Sequence, residues 1–216
     1  MKSIVLAGAL AMCASSAMAA TVSFSLGGPT DNNESSFVYS QGGVDLTVSG
    51  IRCGNSAGPN SASCNAALID RYDGGIGMDG GGNDSHQVDG SGSNEFLKLA
   101  FNPSITLKSA SFTYVSNLDT FRLYTHNGTD WDYEGDANPC NQLFCVNPST
   151  TYTYNFAGTY FGSMFLIGAT GSNDDFKLKA VSVDYEVAAV PLPAAGWMLV
   201  AGLGGIAALK RRRKAA

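Results

Sequence analysis

The chain has 216 residues, 44% hydrophobic and only 14% charged, with 13 basic and 18 acidic side chains and a formal net charge of −5. All 18 acidic residues lie between residues 20 and 189, against seven basic ones (Arg52, Arg71, Lys98, Lys108, Arg122, Lys177 and Lys179), so that stretch carries −11. Such a surface repels nucleic acid and anionic lipid, and about 170 residues suffice for one domain with its own core.

The chain opens MKSIVLAGALAMCASSAMAA. Lys2 supplies a positive n-region, Ile4 to Met12 a short apolar run, and Ala17-Met18-Ala19 the small residues that signal peptidase needs, with cleavage before Ala20. Residues 1–19 therefore read as a secretory signal peptide. A lipoprotein box at Leu10–Cys13 is the weaker reading, because Met12 is large where such boxes carry a small residue.

Export makes the four remaining cysteines, Cys53, Cys64, Cys140 and Cys145, a disulfide set. Three connectivities are possible. Proximity favours Cys53–Cys64 and Cys140–Cys145, and closing a loop of about a dozen residues is worth about 3 kcal/mol. Zinc is disfavoured, since there is no Cys-x-x-Cys pair and there are only two histidines.

Residues 71–96, RYDGGIGMDGGGNDSHQVDGSGSNEF, contain one Gly-Gly-x-Gly-x-Asp unit at Gly74–Asp79. A calcium-binding β-roll stacks several such repeats and no second copy follows, so a β-roll is excluded. What remains is a Gly-rich loop carrying Asp79, Asp84, Asp89 and Glu95, oxygen ligands that suit calcium better than a transition metal. The alternative is a solvated acidic loop. His86, Gln87 and Asp89 read as groups that fasten this loop onto the first core strand, with direct ligand contact as the competing role.

Period-2 alternation dominates the rest. Leu97, Leu99 and Phe101 alternate with Lys98 and Ala100 until Asn102-Pro103 breaks the run, and Phe112 and Tyr114 continue it in SASFTYVS. FRLYTHNGTDWDYEG reads as a hairpin around Asn127-Gly128. TYTYNFAG and YFGSMFLIGA read as two strands. In FKLKAVSVDYEV the phase changes from Phe176/Leu178/Ala180 to Val181/Val183/Tyr185, which predicts a bulge near Ala180. The domain is expected to be all-β, a β-sandwich of jelly-roll type, between an N-terminal signal peptide and one C-terminal transmembrane helix.

Asp130, Asp132, Glu134 and Gly135 fall at the first, third, fifth and sixth positions of an EF-hand-like loop, but position twelve is Asn141 and no helices flank it. Strand alternation explains the spacing better, putting Trp131 and Tyr133 on one face and the carboxylates on the other. Tyr124, Trp131 and Tyr133 then form a candidate platform for stacking sugar rings, with burial in the core as the alternative. Catalysis has little support: His86 and His126 are the only imidazoles, and there is no G-x-S-x-G, Walker loop or H-E-x-x-H. A non-enzymatic role is expected, with a glycan-degrading hydrolase as the alternative.

The chain ends VPLPAAGWMLVAGLGGIAALKRRRKAA. Val190 to Leu209 is twenty residues without a charge, about 30 Å as a helix, and the following Lys210–Lys214 keeps that end cytoplasmic. A permanent single-pass inner-membrane anchor with a periplasmic domain is the plain reading. The order of Pro-containing motif, short helix (194–209) and basic cluster closely resembles the VPLPA-CTERM class of PEP-CTERM sorting signals, with Val190, Pro191, Leu192, Pro193 and Ala194 as the motif. That resemblance implies recognition by an exosortase-type membrane protease of Gram-negative bacteria. It implies transient residence in the inner membrane, then delivery to the cell surface or extracellular matrix. The stretches Gly75–Gly77, Asp84–Asp89 and Glu95 into Phe96-Leu97 are also similar to a region of many exosortase-sorted surface proteins, which transfers a context and no activity. The domains expected are 1–19, 20–189 and 190–216. The expected role is structural or carbohydrate-contacting, with envelope or matrix polysaccharide as partner and calcium as a candidate stabiliser.

Overall fold

The structure is a computed structural model that describes residues 18–79, 86–140, 145, 149–187, 202–204 and 210. The signal peptide up to residue 17, Asp84, Asn141 and the motif Val190–Ala194 lie outside the described residues, as does the predicted helix 194–209 apart from a helical turn at 202–204. Among the described residues no helix is long and apolar enough to cross a membrane. The chain divides into two units, Ala19–Glu186 and the two ends, and the first of these is the folded domain.

Among the described residues the domain is built of thirteen strands: β1 (Met18–Ser25), β2 (Asp31–Glu34), β3 (Ser36–Gln41), β4 (Val44–Gly54), β5 (Asn65–Ala67), β6 (Ile69–Tyr72), β7 (Gly75–Met78), β8 (Val88–Asp89), β9 (Ser93–Thr113), β10 (Phe121–His126), β11 (Trp131–Ala137), β12 (Tyr152–Ala169) and β13 (Asp175–Val187). Alternation drives them. In β4, Val44, Leu46 and Val48 are buried while Asp45 is exposed.

The 21-residue β9 organises a sandwich-like all-β fold. One of its edges pairs with β4 as far as Asn102 and with β13 from Thr106 onward, while β12 follows the other edge along both halves. One layer is thus β11-β10-β12-β9-β4-β3, with β5 continuing the β3 edge; the other continues from β9 through β13 to β7, β6 and β2, with β1 and β8 also on β13. The strand does not stop at Asn102-Pro103, where the sequence reading placed a break. Pro103 sits in the handover between β4 and β13, with no ladder partner on either side, so its missing N–H costs no hydrogen bond. Likewise the two strands read from TYTYNFAG and YFGSMFLIGA are one, β12, interrupted by a bulged stretch between Asn155 and Tyr160.

Two bulges keep apolar side chains facing inward. Lys108 has no partner on β12 or β13, so the inward phase of β9 moves from Ile105/Leu107 to Ala110/Phe112. On β13 the register shifts between Leu178 and Ala180, as predicted, and the buried set moves from Phe176/Leu178 to Val181/Val183. Aromatic rings run through the core, from Phe24 to Phe101 to Phe165 and from Phe121 to Phe112 to Phe176, with centroids 4.8–6.1 Å apart. Tyr114, expected to continue the inward run, lies just past β9 with φ +57° and is 39% exposed.

Candidate functional site

The inner face changes character at one end of the sandwich. Arg52 on β4 stands directly across from Glu95 on β9, and its Nε and Nη2 donate to Glu95 Oε1 at 2.8 and 2.7 Å. Glu95 is 2% exposed, and its other oxygen accepts the Asp89 N–H at 3.1 Å. Burial dominates and pushes the Glu95 carboxyl up to about 7, against the opposing effect of the Asp89 N–H and Arg52. Arg52 Nη2 also donates to the carbonyl of Asp79. The guanidinium is thereby fixed in the wall of a pocket of about 560 Å³ whose lining includes Ser63, Asn65, Leu68, Asp79 and Ser93.

Behind Asp79 lies a second group. Donor atoms of Asp70, Asp79 and His86 lie within 4.8 Å of one another. Asp70 is fully buried on β6; its carboxylate accepts the Asn33 N–H at 2.6 Å and pairs with His86 Nδ1 at 2.6 Å. The next residue, Gln87, donates through Nε2 to Asp175 Oδ1 at 2.6 Å and to the Tyr114 carbonyl at 3.2 Å. Gly77 permits this close approach, since a Cβ there would collide with the His86 carbonyl oxygen. His86, Gln87 and Asp89 thus bind their loop to β6, β13 and β9 respectively.

Of the four acidic residues read as calcium ligands, the three described ones do not converge on one point. Asp79 stands with Asp70 and His86, whereas Asp89 and Glu95 stand together across from Arg52, and Asp84 is outside the described residues. Arg52, bonded to the Glu95 carboxylate and the Asp79 carbonyl, holds the place a shared cation would need. The set that does converge, two carboxylates and an imidazole, suits a transition metal better than calcium.

The three aromatic residues read as a platform do meet on the outer face, Tyr124 and Tyr133 paired across the strands with ring centroids 5.5 Å apart and Trp131 packed beside them, but they do not form an open surface. Tyr124 is 5% exposed, edge-on to Phe96 at 5.7 Å, and forms a small outer-face core with Cys53 and Leu166 against which Trp131 packs. The segment between Cys53 and Cys64, closed by their disulfide, straps over this cluster. Asn60 on the strap donates to the Trp131 carbonyl at 2.9 Å and accepts the Trp131 N–H at 2.8 Å. Asn94 donates to the Ala57 carbonyl at 2.9 Å. Tyr133 alone of the three is largely exposed. Asp132 and Glu134 lie exposed along β11, as alternation requires. Cys140 and Cys145 form the second disulfide.

Sequence reading missed Arg52, Asn65 and Asp70. Only Asp70 carried a local signal, a carboxylate next to the apolar Ile69 at the start of a short strand.

No protein-family model matches the chain, and no curated protein matches it. Two solved structures are similar in shape. The family 32 carbohydrate-binding module of NanJ from C. perfringens, solved with galactose, is 12% identical with a TM-score of 0.33 over 65% of this chain and 93% of that one. The C-terminal domain of a chitobiase from Bacteroides fragilis is 9% identical with a TM-score of 0.32 over 74% of this chain and 98% of that one. Scores this low carry no argument about what this chain binds.

Proposed function

We propose that the chain is an exported surface or extracellular-matrix protein whose domain, a sandwich of jelly-roll type, contacts envelope polysaccharide without cleaving it, and that an exosortase-type protease and signal peptidase process its two ends. The carrying observation is the pocket beside Arg52. Its size suits one or two sugar units. Sugar hydroxyls both donate and accept, and the wall offers both: the Arg52 guanidinium donates, and the Asn65 amide and the Ser63 and Ser93 hydroxyls donate and accept. Leu68, 43% exposed, supplies an apolar patch for a ring face. The buried pair with Glu95 holds Arg52 in place before any ligand arrives, which lowers the ordering cost of binding. The −11 charge of the domain favours neutral polysaccharide over polyanionic chains. Supporting the address are the VPLPA motif, the helix-length apolar run and the basic tail.

The test is titration of the mature protein, with and without chelator, against neutral envelope polysaccharide. Asn65→Ala is expected to weaken binding at least tenfold with the fold intact, and the polysaccharide's chain length is expected to stay unchanged. The chelator arm reports whether a cation at Asp70, Asp79 and His86 steadies the pocket wall. Binding that is absent, or indifferent to Asn65, would overturn the pocket assignment. Intact mass of the mature protein tests the processing, with ends expected at Ala20 and within Val190–Ala194.

A further inference from the structure

Sheets end in edge strands whose open N–H and C=O groups invite another strand, and soluble proteins protect them with charge, proline, bulges or shortness. Most edges of this domain are protected. β11 carries exposed Asp132, Glu134 and Asp136 and faces a bulge at Leu123/Tyr124. β2 is four residues with an acid at each end and an irregular register, and β5 is three residues.

β3 has none of these devices. Its sequence, SFVYSQ, has no charge and no proline, and all six residues pair with β4 in unbroken register. Among the described residues β4 is its one strand partner. Val38, at its centre, is 67% exposed. The neighbouring edge strand β1, whose Val22 lies against Gly42 in the turn after β3, is uncharged too. On a domain of net −11, β3 is an edge that adds no acid of its own; the acids nearest it are Asp45, bonded to Ser40, and Asp31, already paired with Arg71, so a second copy can approach here with less repulsion than at β11 or β2.

We propose that two copies of this chain join edge to edge through β3, as antiparallel strands about a twofold axis at Val38. The register follows from the pleat. Residues directly opposite in an antiparallel pair point to the same face, and a twofold axis normal to the sheet keeps outer face with outer face. Outward Val38 therefore meets Val38 of the second copy, Ser36 meets Ser40, and Phe37 meets Tyr39 on the core side. β3 itself brings no charge to the contact; the nearest charges are Arg71, which lies over the Phe37 ring and pairs with Asp31, and Asp45, which accepts from Ser40. The sheet runs continuously from one copy into the next. The contact is small, so the pair forms and separates with concentration.

Sedimentation of the mature protein from micromolar to near-millimolar concentration is the test, with hydrogen exchange alongside. The expected result is a dimer that tightens with added salt, because salt screens repulsion between the acidic domains and leaves main-chain pairing intact. Amides of residues 36–41 should gain protection as concentration rises, while those of residues 131–137 should not. Val38→Lys sets two ammonium groups across the axis and is expected to raise the dissociation constant at least tenfold; Val38→Thr should stay within about twofold of the parent. A protein that stays monomeric throughout, a dimer that Val38→Lys leaves intact, or one that salt dissolves would each overturn the proposal. Should Val38→Lys fail to fold, concentration-dependent exchange at β3 of the unaltered protein decides.

Discussion

Glu95→Gln is expected to remove one distinct component of the domain's pH-dependent stability between pH 4.5 and 7. In the folded chain burial holds the Glu95 carboxyl at about 7, against 4.5 when free, so the folded state binds this proton more tightly than the unfolded state does. The stability so contributed is fully present below pH 4.5, declines as pH rises through about 7, and is then gone. Two and a half units at about 1.4 kcal/mol each amount to about 3 kcal/mol. Glu95 is 2% exposed, so water does little to reduce that figure. For a domain of this size about 3 kcal/mol corresponds to a Tm change of about 6–12 °C. The assay is thermal or denaturant unfolding of parent and variant across pH 4–8 at fixed salt. The difference between the two curves carries the answer, because other carboxylates impose their own slopes on both. Asp175 acts in the same sense at the lower end of the window: burial first, then the charge of Asp119, raise it from 3.8 to about 6, and its slope should survive in Glu95→Gln. A parent-minus-variant difference that does not change between pH 4.5 and 7 would refute the reading of Glu95 as a carboxyl protonated by burial.

Two further substitutions probe the supports of the site. Replacing Cys53 and Cys64 together by serine should cost about 3 kcal/mol and red-shift Trp131 emission as the strap lifts from the outer-face core, measured by denaturant melts followed through fluorescence. Gly77→Ala should cost about 2–3 kcal/mol, because its Cβ and the His86 carbonyl cannot share the space, and should speed exchange of the His86–Asp89 amides.

Period-2 patterning shows which face of a strand a residue occupies but not which strand lies beside it. That separates what was legible here from what was not. The inward runs of β9 and β13, the bulge near Ala180, the Asn127-Gly128 hairpin and the nearest-neighbour cysteine pairings are local facts, readable within a few residues. Arg52 and Glu95 are 43 positions apart and meet only because the β4–β9 register sets them opposite each other. Tyr124 shows the limit most plainly. Alternation does separate it from buried Leu123 and send it to the outer face, as a platform requires. It is nevertheless buried, because a strap from residues 54–63 crosses that face. Asp79 and Glu95, read as partners around one cation, are kept apart by an arginine whose approach no local pattern announces.

The pocket and the strap depend on each other through one short piece of β4. Arg52 and Cys53 are consecutive, so their side chains leave the strand on opposite faces. Cys53 goes outward to the disulfide and the small core of Phe96, Tyr124 and Leu166; Arg52 goes inward to Glu95 and Asp79. The pocket is bounded by both sets, with Gly54 and Ser63 from the ends of the strap and Arg52 and Asp79 from the charged end of the inner face. Gly54 is held across the strap by its N–H, which donates to Ser63 Oγ at 3.3 Å, beside the Cys53–Cys64 bond. The disulfide therefore fixes one wall of the pocket and the hydrogen bonds from Arg52 to Glu95 and Asp79 fix the other. Opening either should loosen the site before it unfolds the sandwich, whose main core of Leu46, Val48, Leu97, Leu99 and their neighbours is built from a separate set of side chains.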